Sequence, residues 1–270
     1  MWKSSCALPL LPLIACASGS NEPLPPPEVK VERIIPSTQS LREANVRAKI
    51  RITNPRELPV TIAKVEYLVR TENLDTPIEG RSTLTPNSEL PGKSAAEVEL
   101  SQDLAFPEAA EAFLAAAGKE EILVQMEGAI SFGDGTSASF IRKGSIAPPN
   151  LPRFVVHEAQ SSIYEGEGID VTFYLRLINE NPFSVVVENA SYEIVMSGKK
   201  VAEGTAGIGI RLTQGAVQEY EVNVTVDETS FGKGWKSMLD QESLSYSMTG
   251  ELVMENFNLP VEQNGSIDLN

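Results

Sequence analysis

Strict alternation of apolar and polar residues runs through most of the chain. Val46, Ala48, Ile50 and Ile52 alternate with Arg47, Lys49 and Arg51, and Val171, Phe173, Leu175 and Leu177 alternate with Thr172, Tyr174 and Arg176. A period of two places one set on a buried face and the other in solvent, which is the mark of strands in antiparallel sheets with one covered side. Further runs of this kind, "VKVERII", "VTIAKVEYLVR", "AAEVEL", "ILVQMEGAISF" and "SASFIRKGSI", follow at short intervals, and "FGDGT" places a tight hairpin turn at Asp134-Gly135. One segment keeps a helical period. "FPEAAEAFLAAAGK" reads as a helix with Pro107 in its first turn, Glu108 near its positive end and Gly118 as its stop. About seven short strands and one helix in about 120 residues predict a β-sandwich.

The pattern occurs twice. "TNPRELPV" and "NENPFSVVV" each interrupt a strand at Asn-Pro, at Asn54-Pro55 and at Asn181-Pro182, 127 residues apart (182 − 55). Gly80 and Gly204, "AAEVELS" and "EYEVNVTV", Gly128 and Gly250, and Gly144 and Gly265 extend the match. The match predicts a duplicated unit of the size of one domain. The proline-rich "APPNLPRF" forms a stiff connector, which gives units at 28–147 and 153–270. In the second unit "ETSFGKGWKSMLD" stands at the helix position, weakened by Gly232 and Gly234. Proline cannot donate to a strand ladder and Asn closes local turns, so Asn54, Pro55, Asn181 and Pro182 are expected to form structural corners that move the chain from one pairing to another.

The chain ahead of these units has a different character. "MWKSS", a short apolar run and "LIAC" (Leu13, Ile14, Ala15, Cys16) resemble a bacterial lipoprotein signal and lipobox. That resemblance implies removal of residues 1–15 and acylation of Cys16. Residues 16–27, "CASGSNEPLPPP", would then be a partly extended tether. Two or three acyl chains anchor stably, whereas one is marginal. Ala17 after the cysteine resembles outer-membrane rather than inner-membrane sorting, so a lipid-anchored place in the bacterial cell envelope is expected. The only other cysteine, Cys6, lies in the leader, so no disulfide is expected.

Charge and candidate chemistry narrow the function by exclusion. A formal net charge of −15 argues against nucleic acid as a partner. With His157 as the single histidine, a histidine-based metal site or catalytic triad is excluded, and no nucleophile-elbow, zinc-binding or phosphate-loop motif occurs. No cofactor and no catalysis are expected. Arg47, Lys49 and Arg51 form a basic stripe that Glu97 and Glu99 would neutralise if the two strands are neighbours. The sequons at Asn189, Asn223 and Asn264 are expected to stay unmodified. Phe113 and Leu114 in the first unit, with Phe231, Trp235 and Met238 in the second, are expected to pack the helix over one end of each sandwich. An apolar groove for lipid or peptide beneath that helix is the sharper alternative.

The strand ending in Asn-Pro, the apolar resumption, the paired glycines, the short helix and "YSMTGEL" before a closing "NGSI" resemble the late-embryogenesis-abundant group 2 family, whose module is also called the water-stress and hypersensitive-response (WHy) domain. The second unit carries the resemblance better. In the first, "RTENLDTPIEGRS" is longer than the family's hairpin. The resemblance implies two tandem fibronectin-III-type sandwiches, an all-β fold, and a non-enzymatic protective role under desiccation or osmotic stress. Its partners would be the membrane, through the lipid, together with client proteins or lipid. A lipid or hydrophobic-ligand carrier and a structural subunit of an envelope complex are the competing expectations.

Overall fold

The computed structural model describes residues 25–164, 168–207, 209–254 and 257–269. Cys16 and the whole leader fall outside the described residues. The chain is all-β, 65% strand and 8% helix.

The first unit runs β1 (Glu28–Thr38), β2 (Glu43–Thr53), β3 (Val60–Thr71), β4 (Glu79–Leu84), β5 (Ser88–Leu90), β6 (Ala95–Ala105), helix α1 (Ala110–Ala117), β7 (Ile122–Phe132) and β8 (Ser137–Ile146). One sheet has the order β1-β2-β6 and the other β4-β3-β7-β8, with β5 added to the start of β3. The alternating pattern explains the layering. Val46, Ala48, Ile50 and Ile52 of β2 are buried, as are Val65 and Val69 of β3, and each fully covered Val or Ile side chain contributes about 1.5–3 kcal/mol.

The second unit follows the same plan: β9 (Arg153–Tyr164), β10 (Gly168–Ile178), β11 (Val185–Val187), β12 (Asn189–Met196), β13 (Lys199–Ala206), β14 (Ile210–Leu212), β15 (Val217–Val226), α2 (Glu228–Phe231), a 3₁₀ turn (Gly232–Gly234), α3 (Lys236–Leu239), β16 (Ser243–Met254) and β17 (Phe257–Asp268). Its sheets are β9-β10-β15 and β13-β12-β16-β17, and β11 pairs with β14 as β3 does with β5. What is a single bulged strand in the first unit, β3, is divided into β11 and β12 in the second.

Registers correct the repeat alignment. Tyr67 and Tyr192 face Gly128 and Gly250, so that pair of glycines is equivalent. Gly80 and Gly204 are not: Tyr67 is opposite Ser82, whereas Tyr192 is opposite Gly204. In the same way Ile50 faces Val98 and its counterpart Leu175 faces Tyr220, two positions from where sequence spacing puts it. A period-two pattern scores equally well after a two-residue slip, because the slip keeps every side chain on its own face.

The helix departs from expectation as well. Its N-terminal boundary is Ala109, so Pro107 and Glu108 precede it, and Glu111 is the acid of its first turn. The Pro107 carbonyl accepts from Arg42 Nη1 at 2.7 Å, which holds this residue in the connection rather than in the helix. In the second unit the glycines break the helix: Gly232 has a φ of 72° and turns the chain out of α2, whose start is a capping box between Asp227 and Ser230.

No helix among the described residues is long and apolar enough to cross a membrane. The units meet through α1. Phe113, fully buried, meets Phe106 edge to face and packs at a tilt against Phe257 of the second unit, whose ring centroid is 4.8 Å away, and the Arg42 guanidinium lies over both Phe113 and Phe257.

Candidate functional site

The corners after β2 and β10 are built by buried asparagines. Asn54 is fully buried. Its Nδ2 donates toward the carbonyls of Leu58, Leu90 and Pro91 at 2.9–3.3 Å, while its Oδ1 accepts from the Arg56 N–H at 3.1 Å. Asn179 repeats this arrangement, donating toward Phe183, Leu212 and Thr213 and accepting from the Asn181 N–H at 3.1 Å. The counterpart of Asn54 is therefore Asn179, and Asn181 corresponds to Arg56. Pro182 is exposed and has no part in the motif, and Pro55 stands where the second unit has Glu180. The shared chemistry is an Asx turn whose amide gathers three carbonyls, one of them from the last residue of a short strand, Leu90 or Leu212. Asn-Pro was a visible but wrong marker. The signal that could have found the right one is the apolar strand ending in Asn in both copies, Ile52-Thr53-Asn54 and Leu177-Ile178-Asn179.

The residue two beyond each buried asparagine grips the segment that leads into its own unit. Asn181 donates through Nδ2 to the Asn150 carbonyl at 2.7 Å and accepts at Oδ1 from the Asn150 N–H at 2.8 Å. Arg56 donates through Nε to the Pro25 carbonyl at 2.8 Å. Its side chain is only 5% exposed, and its Nη1 is paired with Asp134 in the β7–β8 turn. Arg56, Thr136 Oγ1 and the Thr136 N–H all stabilise the charged form of Asp134 and lower its pKa to about 2. The Asp134-Gly135 dipeptide thus makes the expected turn, with Gly135 at a φ of 83°, and also neutralises a buried cation. A sequence reading for turn chemistry misses the second role because Arg56 and Asp134 meet only after the sheets close.

Beneath α1 lies a cleft of about 320 Å³. Leu74, Pro107, Ala112 and Ala115 are among its apolar lining residues, and Asp75, Glu111 and Lys119 among the polar ones. Leu74 and Asp75 come from the long hairpin segment that distinguishes the first unit. Small alanine side chains on one helix face, the buried Ala116 among them, leave the space, while Phe113 turns into the core. The cleft lies at the helix, where an apolar groove is the sharper alternative, but its lining is mixed rather than apolar, and its volume is at the lower end of the ~300–1,000 Å³ typical of small-ligand pockets.

The other candidate residues do not converge. β2 and β6 are neighbours, and Lys49 pairs with Glu97 at 2.6 Å, which raises the lysine pKa and lowers that of the carboxylate; Arg51 reaches Glu32 at 3.8 Å. His157 is exposed, and among the described residues no group of His, Cys, Asp and Glu could hold a metal ion. Burial pushes the hydroxyls of Tyr192, Tyr220 and Tyr246 up from the ordinary phenol value, which keeps them neutral.

Residues 174–265 match the family model described as late embryogenesis abundant protein. The second unit contains an LEA-2-like domain. The LEA-2-like stretch begins in β10 and ends in β17, so it takes in the Asn179 corner and the broken helix. No curated protein sequence matches the chain significantly. Solved structures similar to it include a protein from Archaeoglobus fulgidus (14% identity, 42% of this chain and 94% of that one, TM-score 0.28) and one from Arabidopsis thaliana (14% identity, 45% and 85%, TM-score 0.34). A red sea bream transglutaminase is 9% identical over 89% of this chain and 32% of its own, with a TM-score of 0.30.

Proposed function

We propose that the protein is a non-enzymatic, lipid-anchored component of the bacterial cell envelope that protects client proteins or membrane under water loss. The observation that carries this reading is the LEA-2-like domain at residues 174–265. Support for a second copy of the module, of the WHy type, comes from the shared strand order and the matching Asn54 and Asn179 corners. Support for the anchor is the lipobox ending at Cys16. Protection would be a surface effect of two acidic, well-hydrated sandwiches that hold clients apart as water is withdrawn. The test is survival of a deletion strain through drying and osmotic shock, together with recovery of a labile dehydrogenase dried with and without the purified protein. Unchanged survival and no added recovery would refute the role. The anchor is tested separately, because Cys16→Ala should move the protein from the membrane fraction to the soluble one.

The cleft under α1 favours a second reading, an apolar-ligand carrier. Native mass spectrometry of protein purified without its anchor should then show a copurifying lipid that is lost when Ala112→Trp fills the cleft. A clean apo mass for the unmodified cleft would remove this reading and leave the protective one standing.

A further inference from the structure

The outer face of β9-β10-β15 is chemically unlike its counterpart in the first unit. Cross-strand partners form successive rows: Ser162, Asp170 and Thr225; Gln160, Thr172 and Asn223; Glu158, Tyr174 and Glu221. Alternation sets them on the face opposite the fully buried Val171, Phe173 and Leu175. The first two rows line a shallow concavity of about 320 Å³ in which Asp170 is the single formal charge.

Internal hydrogen bonds fix these side chains and leave half of each group unused. Thr172 Oγ1 donates to Asn223 Oδ1 at 2.7 Å, and among the described residues no acceptor takes the Nδ2 hydrogens of Asn223, which leaves both for a ligand. Thr225 Oγ1 donates to Asp170 Oδ1 at 2.8 Å, and the second carboxylate oxygen has no protein donor among the described residues. Gln160 Nε2 donates to Glu158 Oε1 at 2.9 Å, which frees the Gln160 carbonyl oxygen as an acceptor. The corresponding face of the first unit carries Asn45, Arg47, Lys49, Ser101 and Asp103, and there the Asn45 amide is buried and spent on Ser101 and Asp103. Strand pairing alone therefore does not require the hydroxyl and amide surface of the second unit.

We propose that this face binds a neutral glycan chain running along β10. A primary amide and a carboxylate oxygen side by side can donate to and accept from neighbouring sugar hydroxyls at once, and the Tyr174 ring in the next row offers a flat apolar platform for a sugar face. The charge distribution selects the occupant. Asp170, Glu158 and Glu221 repel a polyanion, and the polar lining gives an apolar ligand nothing to bury against.

The test uses the purified full chain in native gels containing laminarin, dextran or soluble starch, and in co-sedimentation with cellulose and chitin. Retention is expected on at least one of these glycans. Asn223→Ala and Tyr174→Ala should each weaken it about tenfold or more, the loss of one or two directed contacts. Arg47→Ala on the counterpart face should leave it unchanged. Asp170→Asn, which keeps the shape, should weaken it with far-ultraviolet circular dichroism unaltered. Failure of the unsubstituted chain to be retained on any of the five glycans overturns the proposal. So does equal retention by all the variants.

Discussion

Replacing Asn179 by alanine tests the corner architecture most directly. The substitution removes an amide that is fully buried and leaves the carbonyls of Phe183, Leu212 and Thr213 and the N–H of Asn181 without their partner. The contacts to Leu212 and Asn181 are themselves buried, so water cannot readily replace them. Each stranded group costs about 1–3 kcal/mol and the part-buried ones less, which gives about 3–5 kcal/mol in all. A domain is stabilised by only about 5–15 kcal/mol, so the loss is a large share of the total. Asn181→Ala removes two contacts to the backbone of Asn150 and one to Asn179, all but the last part-buried, and should cost about 1–2 kcal/mol. Urea unfolding followed by the fluorescence of Trp235, which is buried in the second unit, reads the difference in the chain lacking its leader and hence Trp2. With a slope of about 1–2 kcal/mol per molar urea, Asn179→Ala should lower the midpoint by roughly 2–3 M and Asn181→Ala by about 1 M. Equal shifts, or a larger one for Asn181→Ala, would mean that the asparagine beside the proline organises the corner and that the equivalence of Asn54 with Asn179 is wrong.

Three further outcomes follow from the packing. Asp134 has a folded pKa of about 2 against an ordinary value of 3.8, so its contribution to stability is full above pH 4 and is lost as pH falls toward 2; Asp134→Asn should flatten that part of an acid-unfolding profile and weaken the protein at neutral pH by leaving Arg56 without its carboxylate. Phe257→Ala opens a cavity against the buried Phe113 and removes one of the two rings beneath Arg42, so about 3 kcal/mol should be lost by calorimetry, with the two units unfolding less cooperatively. At Gly250 an added Cβ would run into the Ser191 carbonyl oxygen, and at Gly128 into that of Glu66; alanine at either position should cost about 1–3 kcal/mol, measurable as a drop in urea midpoint, whereas Gly198→Ala, where a Cβ meets nothing, should report only its turn conformation.

What was legible in the chain alone is local chemistry. Alternation in Val46–Ile52 and Val171–Leu177 announced strands with one covered face, and the connector prolines and the paired glycines at 128 and 250 announced a repeat, because covering a face and approaching a backbone closely each demand particular residues whatever lies beyond. Tertiary structure decided everything that depends on which segments meet. Period-two patterns are unchanged by a two-residue slip, so the sequence could not separate Asn179 from Asn181 as the partner of Asn54; only the three carbonyls that converge on each buried amide distinguish them. Arg56 finds its carboxylate, Asp134, only in a turn between two strands distant from it in the chain. The long hairpin of the first unit looked like an excess loop until it was seen to wall the cleft under α1. In the same way Asp170 and Thr172 of β10 and Asn223 of β15 share a surface only because antiparallel pairing sets their polar ends side by side.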